Sequence, residues 1–337
     1  MSKQSARLLV DFKGSITIFL ASIGFYRSAF ALPAIREENQ TTFPWPMLGH
    51  DPARTFYTES PGPDTLQLIW RYETQGYVTS SPAIAGGRIY VGSEDGYVYC
   101  LEAETGVLVW SYETRGGVFS SPAVAGGRVY VGSEDHYLYC LDMNTGELVW
   151  SYKTNSFIHA SPAVADGRVY FGSYDEYIYC LEADTGDLIW RYKTGDRIVY
   201  SPAVAGGMVY IGSTDNHVYA LETETGKLAW SYKTNGPLCS SPAVADGRVY
   251  TGSDDSYVYA LEAGSGKLVS SYKTNGPLCS SPAVADGRVY IGSDDNSIYC
   301  LGESPPPALP PYGGYATVVA VVIIIVCIAV WYTRIKK

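Results

Sequence analysis

Across residues 66–303, no window carries the three-to-four-residue apolar spacing of a helix, which excludes a helical or mixed α/β core for that stretch. Positive charge is also in short supply: 24 Lys and Arg stand against 34 Asp and Glu, a net charge of −10, and a nucleic-acid partner is not expected. Histidine occurs only four times, and no two of the seven cysteines are adjacent. The Gly-Gly and Asp-Gly pairs are followed by no helix that could present N–H groups, so they are hairpin turns and not phosphate cradles. What remains is a chain of ordinary apolar content with 17% charged residues, enough to bury a large core.

What the sequence has in abundance is repetition. Ser-Pro-Ala recurs from Ser81 through Ser121, Ser161, Ser201 and Ser241 to Ser281, a period of 40 residues, and Gly-Ser follows eleven residues later each time. Within a unit, short alternating runs such as RVYVG and YLYCL are separated by turn residues, which reads as half-buried strands. Four strands per unit, here A to D, make a small antiparallel sheet, and successive sheets of this kind suit a β-propeller. The Ser-Pro-Ala strand A is placed innermost, because a strand proline is tolerated on an edge. The large Trp110, Trp150, Trp190 and Trp230 then fall on the outer strand D.

The fold expected is therefore all-β, a propeller of 40-residue four-stranded blades over 66–303. Strands A to C occur six times, and the first D strand, LQLIWRYET at 66–74, precedes every other strand. Joining it to the last A-to-C set closes six blades. A seventh blade drawn partly from 41–65 is the alternative.

The flanks carry targeting features. Residues 1–31 resemble a secretory signal, with Lys3, Arg7 and Lys13 before an apolar run and Ala29-Phe30-Ala31 as a cleavage site, or else an uncleaved anchor. Residues 32–65 form a lead-in, 304–314 a proline-rich spacer, and 315–332 an apolar stretch long enough for one transmembrane helix. The basic tail at 333–337 puts that end in the cytoplasm and the propeller outside the cell membrane. Removal of the apolar segment as part of a sorting signal is the other reading.

Cys100, Cys140, Cys180 and Cys300 share one strand C slot that other units fill with Ala220 and Ala260, and Cys239 and Cys279 share a strand A slot. Exchange with Ala marks small buried sites holding free thiols. The recurrent Asp95, Asp135, Asp175, Asp215, Asp255 and Asp295 read as turn-forming carboxylates, with separate weak calcium sites as the alternative. His136 and His159, near Glu134, are a candidate metal pair, set against unpartnered surface polarity. His217 stands where other units have Tyr and reads as packing.

The run from strand C to strand D, as in YCLDMNTGELVW at 139–150, resembles the tryptophan-docking motif of the pyrroloquinoline-quinone (PQQ)-like β-propeller repeat family. The resemblance implies that the Trp of one blade packs on the Thr-Gly turn of the next. The matching residues are Trp70, Trp110, Trp150, Trp190 and Trp230 with Gly106, Gly146, Gly186 and Gly226. Trp70 has no Thr-Gly before it and Ser265-Gly266 is followed by Ser270, departures at the ring closure and in the last D strand that are expected to make that joint the weakest. One branch of the family oxidises alcohols with PQQ and Ca²⁺, using eight blades and adjacent cysteines that this chain lacks. A second branch, the BamB type, is a partner-binding scaffold. No PQQ, Ca²⁺ or other cofactor, no metal and no catalytic residue is expected here.

Because strands alternate in direction, the B–C and D–A loops share one face, which varies from blade to blade through its D–A loops. There Tyr77, Phe157 and Arg197 fall in one column, Thr79, Phe119 and His159 in the next, and Tyr200 follows. Aromatics and an arginine on a rigid scaffold are the material of a binding patch. The expectation is a membrane-anchored, non-catalytic scaffold for an envelope or cell-surface protein or glycan. A quinone-dependent dehydrogenase and a structural envelope protein without ligand are the alternatives.

Overall fold

The computed structural model describes residues 48, 49, 51 and 64–302. The signal, spacer, transmembrane and tail segments read from the sequence lie outside the described residues, as do most of the lead-in and of the stretch offered for a seventh blade. Among the described residues there are 23 strands, and no helix is long and apolar enough to cross a membrane.

Six antiparallel sheets follow one another along the chain. Blade 1 has strand A at Ala83–Ala85, B at Arg88–Gly92, C at Tyr97–Glu102 and D at Leu108–Glu113. Blades 2 to 5 repeat this pattern, ending with strand D of blade 5 at Leu268–Lys273. Blade 6 has three strands, Ala283–Ala285, Arg288–Ser293 and Ser297–Gly302. Ser-Pro stands just ahead of the three-residue strand A, so the proline sits outside the ladder, where its missing N–H costs nothing. The A–B hairpins turn through two successive positive-φ residues, such as Asp166 (φ 50°) and Gly167 (φ 72°).

The outer D strands are half-buried, as Leu108–Glu113 is, but strands B and C inside the stack of blades are buried on both faces. Strand C of blade 2, Tyr137–Asp142, is buried at four consecutive positions from Leu138 to Leu141. Alternation along it separates two dry layers: Tyr130, Leu138 and Cys140 pack toward blade 3, while Val129, Val131, Tyr139 and Leu141 pack toward blade 1. Each core is thus an interface between blades. At the narrow end, the Ser81 amide donates to Ser121 Oγ at 2.8 Å, and the same bond runs Ser121 to Ser161, Ser161 to Ser201, Ser201 to Ser241 and Ser241 to Ser281. Strand A is therefore innermost. At the wide end, Trp150 Nε1 donates to Ala183 O at 3.0 Å, and its ring covers Gly186 so closely that a Cβ there would lie 2.6 Å from Cδ2. The same docking joins Trp70, Trp110, Trp190 and Trp230 to Gly106, Gly146, Gly226 and Gly266.

The joint between blades 5 and 6 differs. Ser270 replaces Trp, every residue of its strand is exposed, and the core divides into two small clusters. A groove of about 610 Å³ opens there, lined by Ser270, Tyr272, Tyr250 and Arg288 among others.

The ring closure is half made. Trp70 docks on Gly106 and donates to Ala103 O at 2.9 Å, and Tyr72 lies against Tyr99, as a D strand of the preceding blade would. Yet 66–74 is not a strand in this structure, and Leu68 and Ile69 on one side and Ile298 on the other are 82%, 85% and 85% exposed. Cys300, on the uncovered edge, is exposed, unlike the buried Cys100, Cys140 and Cys180 of the same slot.

Candidate functional site

The B–C turns and D–A loops are stitched into one face by backbone bonds, such as Glu94 N to Tyr77 O and Tyr174 N to Phe157 O. The recurrent aspartate builds this face. Asp175 Oδ1 accepts from the Tyr177 amide at 3.2 Å, and Oδ2 accepts from the Asn155 amide at 2.9 Å and the Tyr179 hydroxyl at 2.7 Å. This is the Asx turn read from the sequence, extended by a tyrosine from strand C and an amide from the D–A loop. At Asp95 burial is the largest influence and raises the pKa. The bonds from Gln75, Tyr99 and Tyr97 outweigh it and hold the carboxyl below its usual range.

On this frame the variable residues assemble unevenly. His159 stands at the centre: Phe119 stacks on it with ring centroids 4.8 Å apart, and Phe157 lies parallel to it at 6.0 Å. Its Nε2 is 2.9 Å from Glu134 Oε1 and its Nδ1 is 3.0 Å from the Tyr174 hydroxyl. A carboxylate only accepts, so the neutral ring donates from Nε2 and accepts the Tyr174 proton on Nδ1. Arg197 lies 5.6 Å over the Tyr174 ring, a cation–π contact on the exposed side. Tyr174 and Glu134 were not among the residues singled out from the binding columns; each stands at the first turn position after Gly-Ser, where the sequence varies as much as in the D–A loops.

The other candidates lie at the edge of this cluster or apart from it. Tyr77 is 79% exposed, and Thr79 donates to Glu94 Oε1 at 3.3 Å. His136 meets the Phe157 ring edge-on at 5.3 Å, and among the described residues it joins no metal-competent group with His159. His217 packs on Tyr219. Tyr200 is half-buried, its hydroxyl raised first by burial and then by Cys239, Cys279 and Asp254, which face it. Burial pushes the Cys100 thiol up to about 11 and those of Cys140 and Cys180 to about 12, which suits inert packing groups.

Stacked four-stranded blades, locked by tryptophan on the outside and serine on the inside, define a tryptophan-docking β-propeller. The family described as the β-propeller of beta-alanine-activating enzyme matches residues 123–306, more than half of the chain, and that of outer membrane protein assembly factor BamB matches residues 62–157. The chain belongs to this PQQ-like β-propeller repeat family. Among curated protein sequences, none matches. Among solved structures, the chain is similar to the computationally designed Ika8 protein, with 19% identity, TM-score 0.63, and 68% of this chain and 72% of that chain covered. It is also similar to a quinohemoprotein alcohol dehydrogenase from Pseudomonas putida HK5, at 19% identity and TM-score 0.64, over 80% of this chain and 59% of that one. BamB from Moraxella catarrhalis aligns at 22% identity and TM-score 0.49, over 71% and 87%. These likenesses concern the fold alone.

Proposed function

We propose that this protein is a non-catalytic scaffold that captures an envelope or cell-surface protein or glycan on its D–A face. The observation that carries the reading is the Phe119–His159–Tyr174–Phe157 stack with Arg197 beside it. Aromatic and arginine anchors held by a rigid frame are what binding hot spots are made of. The match of residues 62–157 to an assembly factor's family supports an assembly role. In this reading residues 315–332 anchor the chain in the cell membrane, with the propeller extracytoplasmic and the tail cytoplasmic, and no PQQ, Ca²⁺ or other cofactor takes part. The test starts from native membranes. The chain should need detergent for release and should retain a discrete partner, and Phe119→Ser with Phe157→Ser should cut that retention at least about tenfold. Phe119 is half-buried and Phe157 38% exposed, so the fold should survive the change. Retention unchanged by these substitutions would sink the reading, and an empty capture would favour a structural envelope protein.

The same proposal includes closure of the ring by the N-terminal strand. The supporting observation is complementarity of the two ends. In the other blades Val118, Ile158, Ile198, Leu238 and Leu278 insert beside Gly92, Gly132, Gly172, Gly212 and Gly252, all fully buried, whereas Val78 is 49% exposed and Gly292 has only Ser280 near it. By the register of Cys100 with Trp110, Cys300 would pair with Trp70. Amide hydrogen exchange tests this: 66–74 and Ser297–Gly302 should be protected as strongly as Leu108–Glu113. Exchange at the rate of free chain in both segments would leave the ring open.

A further inference from the structure

The inner rim at the joint of blades 5 and 6 brings together three ligating groups that the aromatic patch does not use. Cys239, ahead of strand A of blade 5, donates its thiol to Asp254 Oδ1 at 2.9 Å. Cys279, at the equivalent place in blade 6, lies 3.6 Å from the same oxygen. The two sulfurs and the carboxylate oxygen are all within 4.8 Å of one another, and among the described residues no other His, Cys, Asp and Glu form such a group. The topology explains the meeting. The rim position lies between two B–C turns, so that His159 reaches both Tyr174 of its own blade and Glu134 of the preceding one. Cys239 makes the first kind of contact and Cys279 the second, so both arrive at Asp254.

We propose that Cys239, Cys279 and Asp254 together bind one zinc-type divalent ion across this joint. Two thiolates and a carboxylate suit a borderline-soft cation, with Zn–S near 2.3 Å and Zn–O about 2.0–2.2 Å, whereas calcium and magnesium prefer oxygen alone. Ligand atoms in such a tetrahedral shell stand roughly 3.5 Å apart, so the present spacing needs only small side-chain adjustments. Three protein ligands leave one position for solvent or for a group arriving on the D–A face. Cys279 and Asp254 are exposed, which gives the ion a way in, while Cys239 is buried. The ion would also staple the one blade joint that carries Ser270 in place of tryptophan, and this role is independent of any captured partner.

The test uses the full chain, reduced and stripped of metal, titrated with Co²⁺ and then with Zn²⁺. One Co²⁺ per chain should bind with thiolate charge-transfer absorption, Zn²⁺ should displace it, and Zn²⁺ should raise the thermal midpoint. Cys239→Ser and Cys279→Ser should each abolish the absorption, and Cys140→Ser should leave it intact. The rim position already accepts Thr79 and Val199, so Cys239→Val is a second variant expected to fold. Absence of thiolate absorption, or its persistence in Cys239→Ser, overturns the proposal. So does recovery of Cys239 and Cys279 as a disulfide from protein isolated without reductant.

Discussion

Gly186→Ala is expected to destabilise the propeller by about 3–5 kcal/mol, while Gly207→Ala costs only about 1–2 kcal/mol. Both glycines have φ of 75°, so the left-handed penalty is common to the two. They differ in what a Cβ would meet: nothing within 4 Å at Gly207, but Trp150 Cδ2 at 2.6 Å and Cε3 at 2.7 Å at Gly186. The indole cannot retreat without giving up its bond to Ala183 O and its contact with Tyr130, whose ring lies 5.8 Å away. The difference between the variants therefore isolates the outer lock of one blade joint. Denaturant midpoints of the two proteins measure it, and equal shifts would show that tryptophan docking contributes little.

That lock was legible in the sequence because it is local: Trp and Thr-Gly recur at fixed offsets, and a missing partner at Ser270 shows as a gap in the pattern. The repeat length, the four strands and the shared B–C and D–A face were legible for the same reason. The alternating pattern misled in one respect. It separates wet from dry in an isolated sheet, but in a blade with a neighbour on each side, such as blade 2, it separates two dry interfaces, because the blades stack face to face over strands B and C.

The site was less legible. Columns of D–A residues named Phe119, Phe157, His159 and Arg197, but could not say that His159 would be held between Glu134 of one blade and Tyr174 of its own. That pairing depends on how far each blade is rotated against the next, a quantity no single repeat contains. Cys239 and Cys279 show the same limit. Forty residues apart, they share one repeated slot in two blades, and only the convergence of blades at the inner rim brings both to Asp254.

The protein is expected to unfold cooperatively within about one pH unit above pH 10, the ordinary tyrosine pKa. Of the 30 tyrosines, Tyr90, Tyr99, Tyr130, Tyr139, Tyr170, Tyr179, Tyr210, Tyr219 and Tyr259 are buried, and burial is the first cause raising each above its ordinary value. In five of them, including Tyr139 and Tyr179, a hydroxyl bond to the turn aspartate is the second cause, since the neutral phenol donates and the phenolate would face a carboxylate. The sign follows from a folded pKa above the unfolded one: the stabilisation is complete below pH 10 and is lost as pH rises toward the folded values. Each such group contributes a slope of about 1.4 kcal/mol per pH unit, so together they remove on the order of 10 kcal/mol per unit, comparable to the whole stability of a domain. Tyrosinate absorbance followed with far-UV circular dichroism should show a steep step in both signals at once. A gradual titration of all tyrosines with the strand signal intact would mean that the inter-blade layers admit water and charge, and would contradict the dry packing on which the rigid binding face depends.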